Sequence, residues 1–325
     1  MGKQLILAVD DEAGNLQLLH QILGEDYRLL CAKDGERALA LARDKRPDLI
    51  LLDVVMPGLG GYEICRSLKN DPATAAIPVI FVTSQSDTED ELRGFGCGAV
   101  DYISKPVSPP IVQARVRTHL SLVRAEELRA SRLQVIQRLG MAAEYKDNET
   151  GLHVMRMSHY ARALGMAAGI GEAEADELLH AAPMHDVGKI GIPDRILQKP
   201  GKLDAEEWEI MKTHAAIGAA IIGEHNSGML ALASEIALVH HEKYDGTGYP
   251  NGLAGEQIPL AGRIVAIADV FDALTSTRPY KPAWPVEQAL AFLTEQRGKH
   301  FDPALVDLFL TQLPEIESIR QRWAD

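Results

Sequence analysis

Five histidines and two aspartates in the C-terminal part of this chain sit in apolar or helical surroundings and have the types and placement of metal ligands. His185-Asp186 follow the run Leu178–Met184, His240-His241 end the run Ile236–Val239, and Asp269 interrupts Ile264–Val270. His153 and His214 lie on further amphipathic stretches. One histidine in such a setting is more often a satisfied core residue than a ligand. Several ionisable groups drawn from separate helical segments are costly to bury without a shared purpose. Imidazole plus carboxylate ligation suits Fe, Mn, Zn or Ni, and a shared carboxylate permits two metals side by side. Glu149 stands four residues before His153, so both could share one helical face. It reads equally as a further ligand that would admit a third ion and as an acid favouring a helix N-terminus.

A second constellation lies near the N-terminus. Asp10-Asp11, Asp53, Thr83-Ser84 and Lys105-Pro106 each follow or end a short apolar run. Carboxylates converging at one edge repel unless a cation joins them, and Mg²⁺, a hard ion preferring oxygen ligands, suits the place. A lysine and a hydroxyl beside that ion would bind an anion. Together these residues describe a phosphoryl-transfer site with Asp53 as nucleophile.

The elements that must position the two sets differ. Residues 1–122 alternate the apolar runs Leu5–Val9, Tyr27–Cys31, Leu49–Leu52, Val79–Val82 and Ala99–Ile103 with amphipathic stretches such as Glu36–Arg43 and Gly61–Lys69. That alternation predicts a doubly wound α/β domain: a five-stranded parallel sheet covered on both faces, with ligands at the carboxyl ends of the strands. Residues from about 147 predict an all-α domain, with helices such as Glu172–His180, Glu206–Ile222 and Val286–Gln296. Asp204 and Glu207 have capping-box spacing ahead of the second of these. The expected organisation is residues 1–122, a helical connector at 123–146, and residues 147–325. The connector fits a solvated linker helix and a short dimeric coiled coil equally well.

Composition narrows the classes of function. The 325 residues are 46% apolar and 24% charged, ordinary globular usage with length for two cores. A net charge of −13 disfavours a broad basic face for a nucleic-acid polymer, though not a small basic pocket for one anion. No apolar run reaches the roughly 18 residues of a membrane helix, and Leu5–Val9 is too short for a signal-peptide core, so a cytoplasmic protein is expected. The three cysteines are far apart, form no Cys-x-x-Cys pair, and read as small buried hydrophobes.

The first part resembles the receiver domain of two-component response regulators. The matching segments are Val9-Asp10-Asp11-Glu12, Leu52-Asp53-Val54-Val55-Met56-Pro57, Val82-Thr83-Ser84 and Ser104-Lys105-Pro106. The resemblance implies that Asp53 accepts phosphate from a cognate histidine kinase. It also implies that Asp11, Asp53 and the Val55 carbonyl hold Mg²⁺, that Asp10 helps through water, and that Thr83 and Lys105 contact the phosphoryl oxygens. Tyr102 sits at the family's aromatic switch position. Gly60-Gly61 departs from the common Asp-Gly and is expected to alter a turn while leaving the chemistry intact.

The second part resembles the HD metal-dependent phosphohydrolases, through Met184-His185-Asp186-Val187-Gly188-Lys189-Ile190. It resembles their HD-GYP subclass through His240-His241-Glu242-Lys243-Tyr244-Asp245-Gly246-Thr247-Gly248-Tyr249-Pro250 and through Ala268–Ser276 followed by Arg278-Pro279-Tyr280-Lys281. The resemblance implies one metal site from His153, His185, Asp186 and Asp269. Asp186 would bridge to a second site completed by His214, His240 and His241. The implied substrate is cyclic di-GMP, cut by a metal-activated water to pGpG and on to GMP. Lys189 would steady transition-state charge, and Lys189, Arg278 and Lys281 would contact phosphate. Gly248, Tyr249 and Pro250 would shape the pocket and a surface for partner proteins. A homodimer is a further expectation. Two rival readings are a phosphodiesterase for another cyclic dinucleotide, and a receiver-gated receptor or adaptor with little turnover.

Overall fold

The computed structural model describes residues 2–84, 94, 96–147, 151–277 and 282–324. They form two compact units, Met1–Arg129 and Ala130–Asp325. The division falls within one helix, Pro109–Lys146, which contains the whole expected connector.

In the first unit, β1 (Leu5–Val9), β2 (Arg28–Ala32), β3 (Leu49–Asp53), β4 (Val79–Thr83) and β5 (Asp101–Ser104) make one parallel sheet in the order β2-β1-β3-β4-β5. Continuous apolar runs form β1, β3 and β4, buried along nearly their whole length because both faces are covered, while the edge strands β2 and β5 are only partly buried. The helices Gly35–Lys45 and Gly61–Asn70 pack Ala38, Leu41, Ile64 and Leu68 on one face. The helix Ala13–Leu23 and the start of Pro109–Lys146 pack Leu16, Leu19, Val112, Val116 and Leu120 on the other. The chain goes to one side of β1 for β2 and to the other side for β3, so a crevice opens at the carboxyl ends of β1 and β3. Asp10 follows the first of these strands and Asp53 ends the second. Gly61 touches this edge: a Cβ there would lie 2.2 Å from the Asp53 carbonyl oxygen, so the second glycine of Gly60-Gly61 has no room for a side chain. Cys65 and Cys97 are buried as expected, but Cys31 is exposed, because β2 is an edge strand that pairs only with β1.

The second unit is helical. Its core gathers Tyr160 and Leu164 from Gly151–Ala167, Ile236 from Met229–Val239, Ile264 and Phe271 from Leu260–Thr275, and Phe309 from Pro303–Thr311. Phe271 meets Tyr160 and Phe309 edge-on, with ring centroids 5.6 and 5.0 Å apart. Each large apolar side chain buried this way contributes about 1.5–3 kcal/mol. The two central helices of this core carry His153 and Asp269, so packing fixes where those side chains start.

One expected helix divides. Glu206–Ile222 is Ala205–Lys212 followed by His214–Ile222, with the Asp204–Glu207 capping box at the start and a break at Thr213. The Thr213 amide and hydroxyl both turn back to the Ile210 carbonyl, at 3.0 and 2.6 Å, which tightens the chain and starts a new helix at His214.

Candidate metal centre

The helix Glu172–Ala181 gives way to a short turn, Ala182–Met184, containing Pro183. His185 and Asp186 emerge from that turn with 0% and 6% exposure. The following turn, Val187–Gly191, lies against the helix His214–Ile222 so closely that a Cβ on Gly188 would stand 1.9 Å from the His214 carbonyl oxygen. This approach brings His214 to Asp186.

Asp186 is the junction of two groups. Its Oδ1 lies 3.1 Å from His214 Nε2 and 3.3 Å from His240 Nε2, and its Oδ2 lies 3.3 Å from His185 Nε2. Asp186, His214, His240 and His241 offer ligand atoms within 4.8 Å of one another, as do His153, His185 and Asp269. Each expected ligand falls in one of these groups except Glu149, which lies outside the described residues.

The imidazoles are presented in one tautomeric sense. A carbonyl only accepts, so a ring nitrogen facing one must carry the proton. His185 Nδ1 faces Ala182 O at 3.1 Å, His214 Nδ1 faces Met211 O at 2.7 Å, and His240 Nδ1 faces Ile236 O and Ala237 O at 3.2 and 3.1 Å. Nε2 of each is left toward Asp186. Although His185 Nε2 and Asp186 Oδ1 are buried, neither makes a hydrogen bond among the described residues. Buried polar atoms without partners at the meeting point of imidazoles and carboxylates fit a metal ion.

His153 is oriented by a side chain instead. Its Nδ1 lies 2.8 Å from Asp272 Oδ2 and its Nε2 3.3 Å from Asp269 Oδ1. Asp272 is fully buried and takes Arg156 on both oxygens, Nε to Oδ1 at 2.8 Å and Nη2 to Oδ2 at 3.0 Å. Sequence reasoning missed Asp272 and Arg156. A second acid three residues after Asp269 was a usable signal, because a ligand histidine needs a partner for its far nitrogen.

Electrostatics separate the two groups. Burial alone would lower His153 and His185, but neighbouring carboxylates outweigh it: Asp269 and Asp272 hold His153 well above its ordinary value, and Asp186 and Asp269 raise His185 to about 9. Burial alone would raise Asp186, yet Lys189, His185 and His214 hold it well below the usual carboxylate range. Burial pushes His240 down, and burial together with His240 pushes His241 far down.

The Gly-Tyr-Pro segment packs directly on this centre. The Tyr249 ring stacks on His241 at 4.7 Å, while Pro250 is exposed. Glu242, almost fully buried, accepts from the Asn251 and Leu253 amides at 2.7 and 3.0 Å and so pins the loop. A Cβ on Gly248 would stand 2.3 Å from the Lys243 nitrogen. Lys189 Nζ lies 2.8 Å from Asp186 Oδ2. Arg278 and Lys281 lie outside the described residues.

At the sheet edge of the first unit, Asp10, Asp11 and Asp53 also offer oxygens within 4.8 Å of one another. Lys105 Nζ spans Asp10 Oδ2 at 2.8 Å and Asp53 Oδ2 at 2.7 Å. The Val55 amide donates to Asp53 Oδ1 at 3.2 Å, and Thr83 ends β4, with its carbonyl accepting from the Lys105 amide at 2.7 Å. Burial raises the Asp53 carboxyl, offset in part by Lys105. Tyr102 lies half-buried on β5, with the Arg115 guanidinium 5.4 Å from its ring centre.

Residues 132–305 match the HD domain family, and residues 6–117 match the response regulator receiver domain family. The chain belongs to the HD domain family, with a receiver domain ahead of the HD domain. Two curated relatives match the chain across both parts, and a third matches it over a smaller share. A Vibrio cholerae protein named "Probable cyclic di-GMP phosphodiesterase" is 42% identical over 98% of this chain and 80% of its own length. The "Cyclic di-GMP phosphodiesterase response regulator RpfG" of Xanthomonas campestris pv. campestris is 38% identical over 98% of this chain and 90% of its own. A "3'3'-cGAMP-specific phosphodiesterase 2" of Vibrio cholerae is 47% identical over 61% of this chain and 38% of its own. The HD domain carries divalent-metal chemistry, and the receiver domain implies a kinase partner.

Proposed function

We propose that this chain is a response regulator in which phosphorylation of Asp53 by a histidine kinase controls hydrolysis of cyclic di-GMP at the HD centre. The observation that carries this reading is Asp186, whose Oδ1 faces His214 and His240 while its Oδ2 faces His185. The names of relatives matched over 98% of the chain supply the substrate.

His153, His185, Asp186 and Asp269 would hold one divalent ion, and Asp186, His214, His240 and His241 a second. Fe or Mn suits this mixed nitrogen and oxygen set best, with Zn or Ni as alternatives. Bound ions supply charge neutralisation for a phosphoryl group and lower the pKa of water. The chain's own residues do the rest. Main-chain carbonyls and Asp272 hold the imidazoles with Nε2 inward. Tyr249 covers one face of His241 and keeps water from it. Lys189 presents a positive charge at the Asp186 side, where a substrate phosphoryl would develop charge. Arg278 and Lys281 are proposed as further phosphate contacts, and Glu149 as the ligand that would admit a third ion. The product is pGpG, with GMP from a second cut.

In the receiver, Asp11, Asp53 and the Val55 carbonyl would hold Mg²⁺, with Asp10 helping through water. The Asp53 carboxylate attacks phosphorus as the kinase's imidazole nitrogen leaves, and Thr83 and Lys105 meet the transferred oxygens. No described helix is long and apolar enough to cross a membrane, in keeping with action in the cytoplasm. Val135 and Leu139, exposed one turn apart, favour a homodimer through this helix, and the exposed Pro250 favours a partner surface at the Gly-Tyr-Pro loop.

The test is protein loaded anaerobically with Mn²⁺ or Fe²⁺ and given cyclic di-GMP or 3'3'-cGAMP, with products followed by chromatography. Faster loss of 3'3'-cGAMP would favour a phosphodiesterase for another cyclic dinucleotide, the reading that the 47% identical relative supports. Binding without loss of either would make the chain a receptor.

A further inference from the structure

The end of the helix Pro109–Lys146 meets the turn that carries Lys189. Lys146 Nζ lies 2.8 Å from the Ile190 carbonyl and 2.7 Å from that of Ile192, which fixes the backbone of the turn. The neighbours of Lys146 take the Lys189 ammonium itself. Asp147 Oδ2 stands 2.8 Å from Lys189 Nζ, and Glu144 Oε2 stands 3.5 Å from it. Glu144 is 1% exposed, and among the described residues neither of its oxygens accepts a hydrogen bond. An ionised carboxylate in such a place is strongly unfavourable without an opposite charge nearby.

Two roles compete for Glu144. Glu144, His185 and Asp186 offer donor atoms within 4.8 Å of one another, the spacing of a metal group. The position between Glu144, Asp147 and Asp186 is already taken, however, by the Lys189 ammonium. Asp186 also answers to the imidazoles on both its oxygens. Divalent ions drawn to Asp186 would repel the ammonium beside it. Lys189 keeps its place under that repulsion only if other anions hold it.

We propose that Glu144 is a positioning residue for Lys189. With Asp147 it retains the ammonium at the rim of the centre while Asp186 serves cations, and so fixes a positive charge where a substrate phosphoryl group arrives. This rests on the reading above that Lys189 meets a phosphoryl group.

The test compares Glu144→Gln, Lys189→Met and the double variant in the full Mn²⁺-loaded chain. Three quantities are read: ions per chain, the Kd of inorganic phosphate, and the kcat and KM for cyclic di-GMP. Glu144→Gln should keep the wild-type number of ions and weaken phosphate binding by about ten- to a hundredfold. Its KM should rise more than its kcat falls, and the double variant should be no weaker than Lys189→Met alone. An ion lost in Glu144→Gln would make Glu144 a ligand and overturn the proposal, as would effects that add in the double variant. Asp147→Asn, at a less buried position, gives the same comparison if Glu144→Gln does not fold. A wild type that binds phosphate through Lys189 but leaves cyclic di-GMP intact would sink the substrate reading alone; the phosphate series would still decide the role of Glu144.

Discussion

His153 sits between two carboxylates, Asp272 at 2.8 Å on Nδ1 and Asp269 at 3.3 Å on Nε2. Asp269 faces the metal group and Asp272 faces the core, where Arg156 takes both its oxygens.

Asp272→Asn should therefore hurt twice. Loss of a carboxylate behind a ligand histidine typically costs about 10- to 100-fold in metal affinity. Leaving the buried Arg156 guanidinium without its charge partner should cost about 3–5 kcal/mol of stability. Urea unfolding and metal titration of the same preparation check both, and wild-type values in either would contradict this role for Asp272.

Metal loading should depend on pH in two stages. His240 and His241 are pushed below their ordinary values, so they stay neutral and ready to ligate at pH 7. His185, raised to about 9, and His153, raised well above its ordinary value, are protonated there and must each shed a proton to ligate. The first ion should enter with little proton release. The second should release protons and bind more tightly as pH rises toward 9. The metal-free chain should behave oppositely: raised histidine pKa values contribute stability below about 6.5, and that stability is lost as pH climbs through the folded value. Calorimetry in two buffers of different ionisation enthalpy measures the released protons; none at either step would refute the scheme.

Gly188→Ala tests the approach that joins Asp186 to His214. A methyl group 1.9 Å from the His214 carbonyl forces the turn off the helix His214–Ile222. Overpacking of this kind costs about 1–3 kcal/mol or more. The variant should lose metal binding at the HD centre, while labelling of Asp53 by acetyl phosphate continues unchanged.

Asp53→Asn should abolish that labelling, and so should removing Mg²⁺ with a chelator. Lys105→Ala frees Asp53 from its ion pair but leaves Asp10 and Asp53 facing one another uncompensated. Labelling in that variant should fall, and its receiver should melt at lower temperature. Phosphate-affinity electrophoresis and thermal unfolding read the two effects.

The receiver site was legible because each of its residues ends a strand, and strand ends are visible as the close of an apolar run. Asp10, Asp53, Thr83 and Lys105 needed only the sheet to be brought together. The HD ligands were legible through motif and through polar residues breaking apolar runs. Arg156 and Glu144 were not, because a buried charged residue on a helix has the same letter as an exposed one, and only packing separates them; Asp272 left its spacing from Asp269 as a signal. The break at Thr213 was hidden because Ala205–Ile222 has no glycine or proline before Gly218; the turn comes from hydrogen bonds to the Ile210 carbonyl.

The imidazoles of the centre differ in what anchors them, and the difference bears on re-engineering. His185, His214 and His240 are tied through Nδ1 to main-chain oxygens, which no side-chain exchange can remove. His153 leans on Asp272 and His241 on the Tyr249 ring, and both supports are encoded letters open to substitution. Three of the rings are thus part of the chassis, and two are adjustable fittings. A designer seeking to retune this centre from one transition metal to another would begin at positions 249 and 272 and leave the ligands untouched.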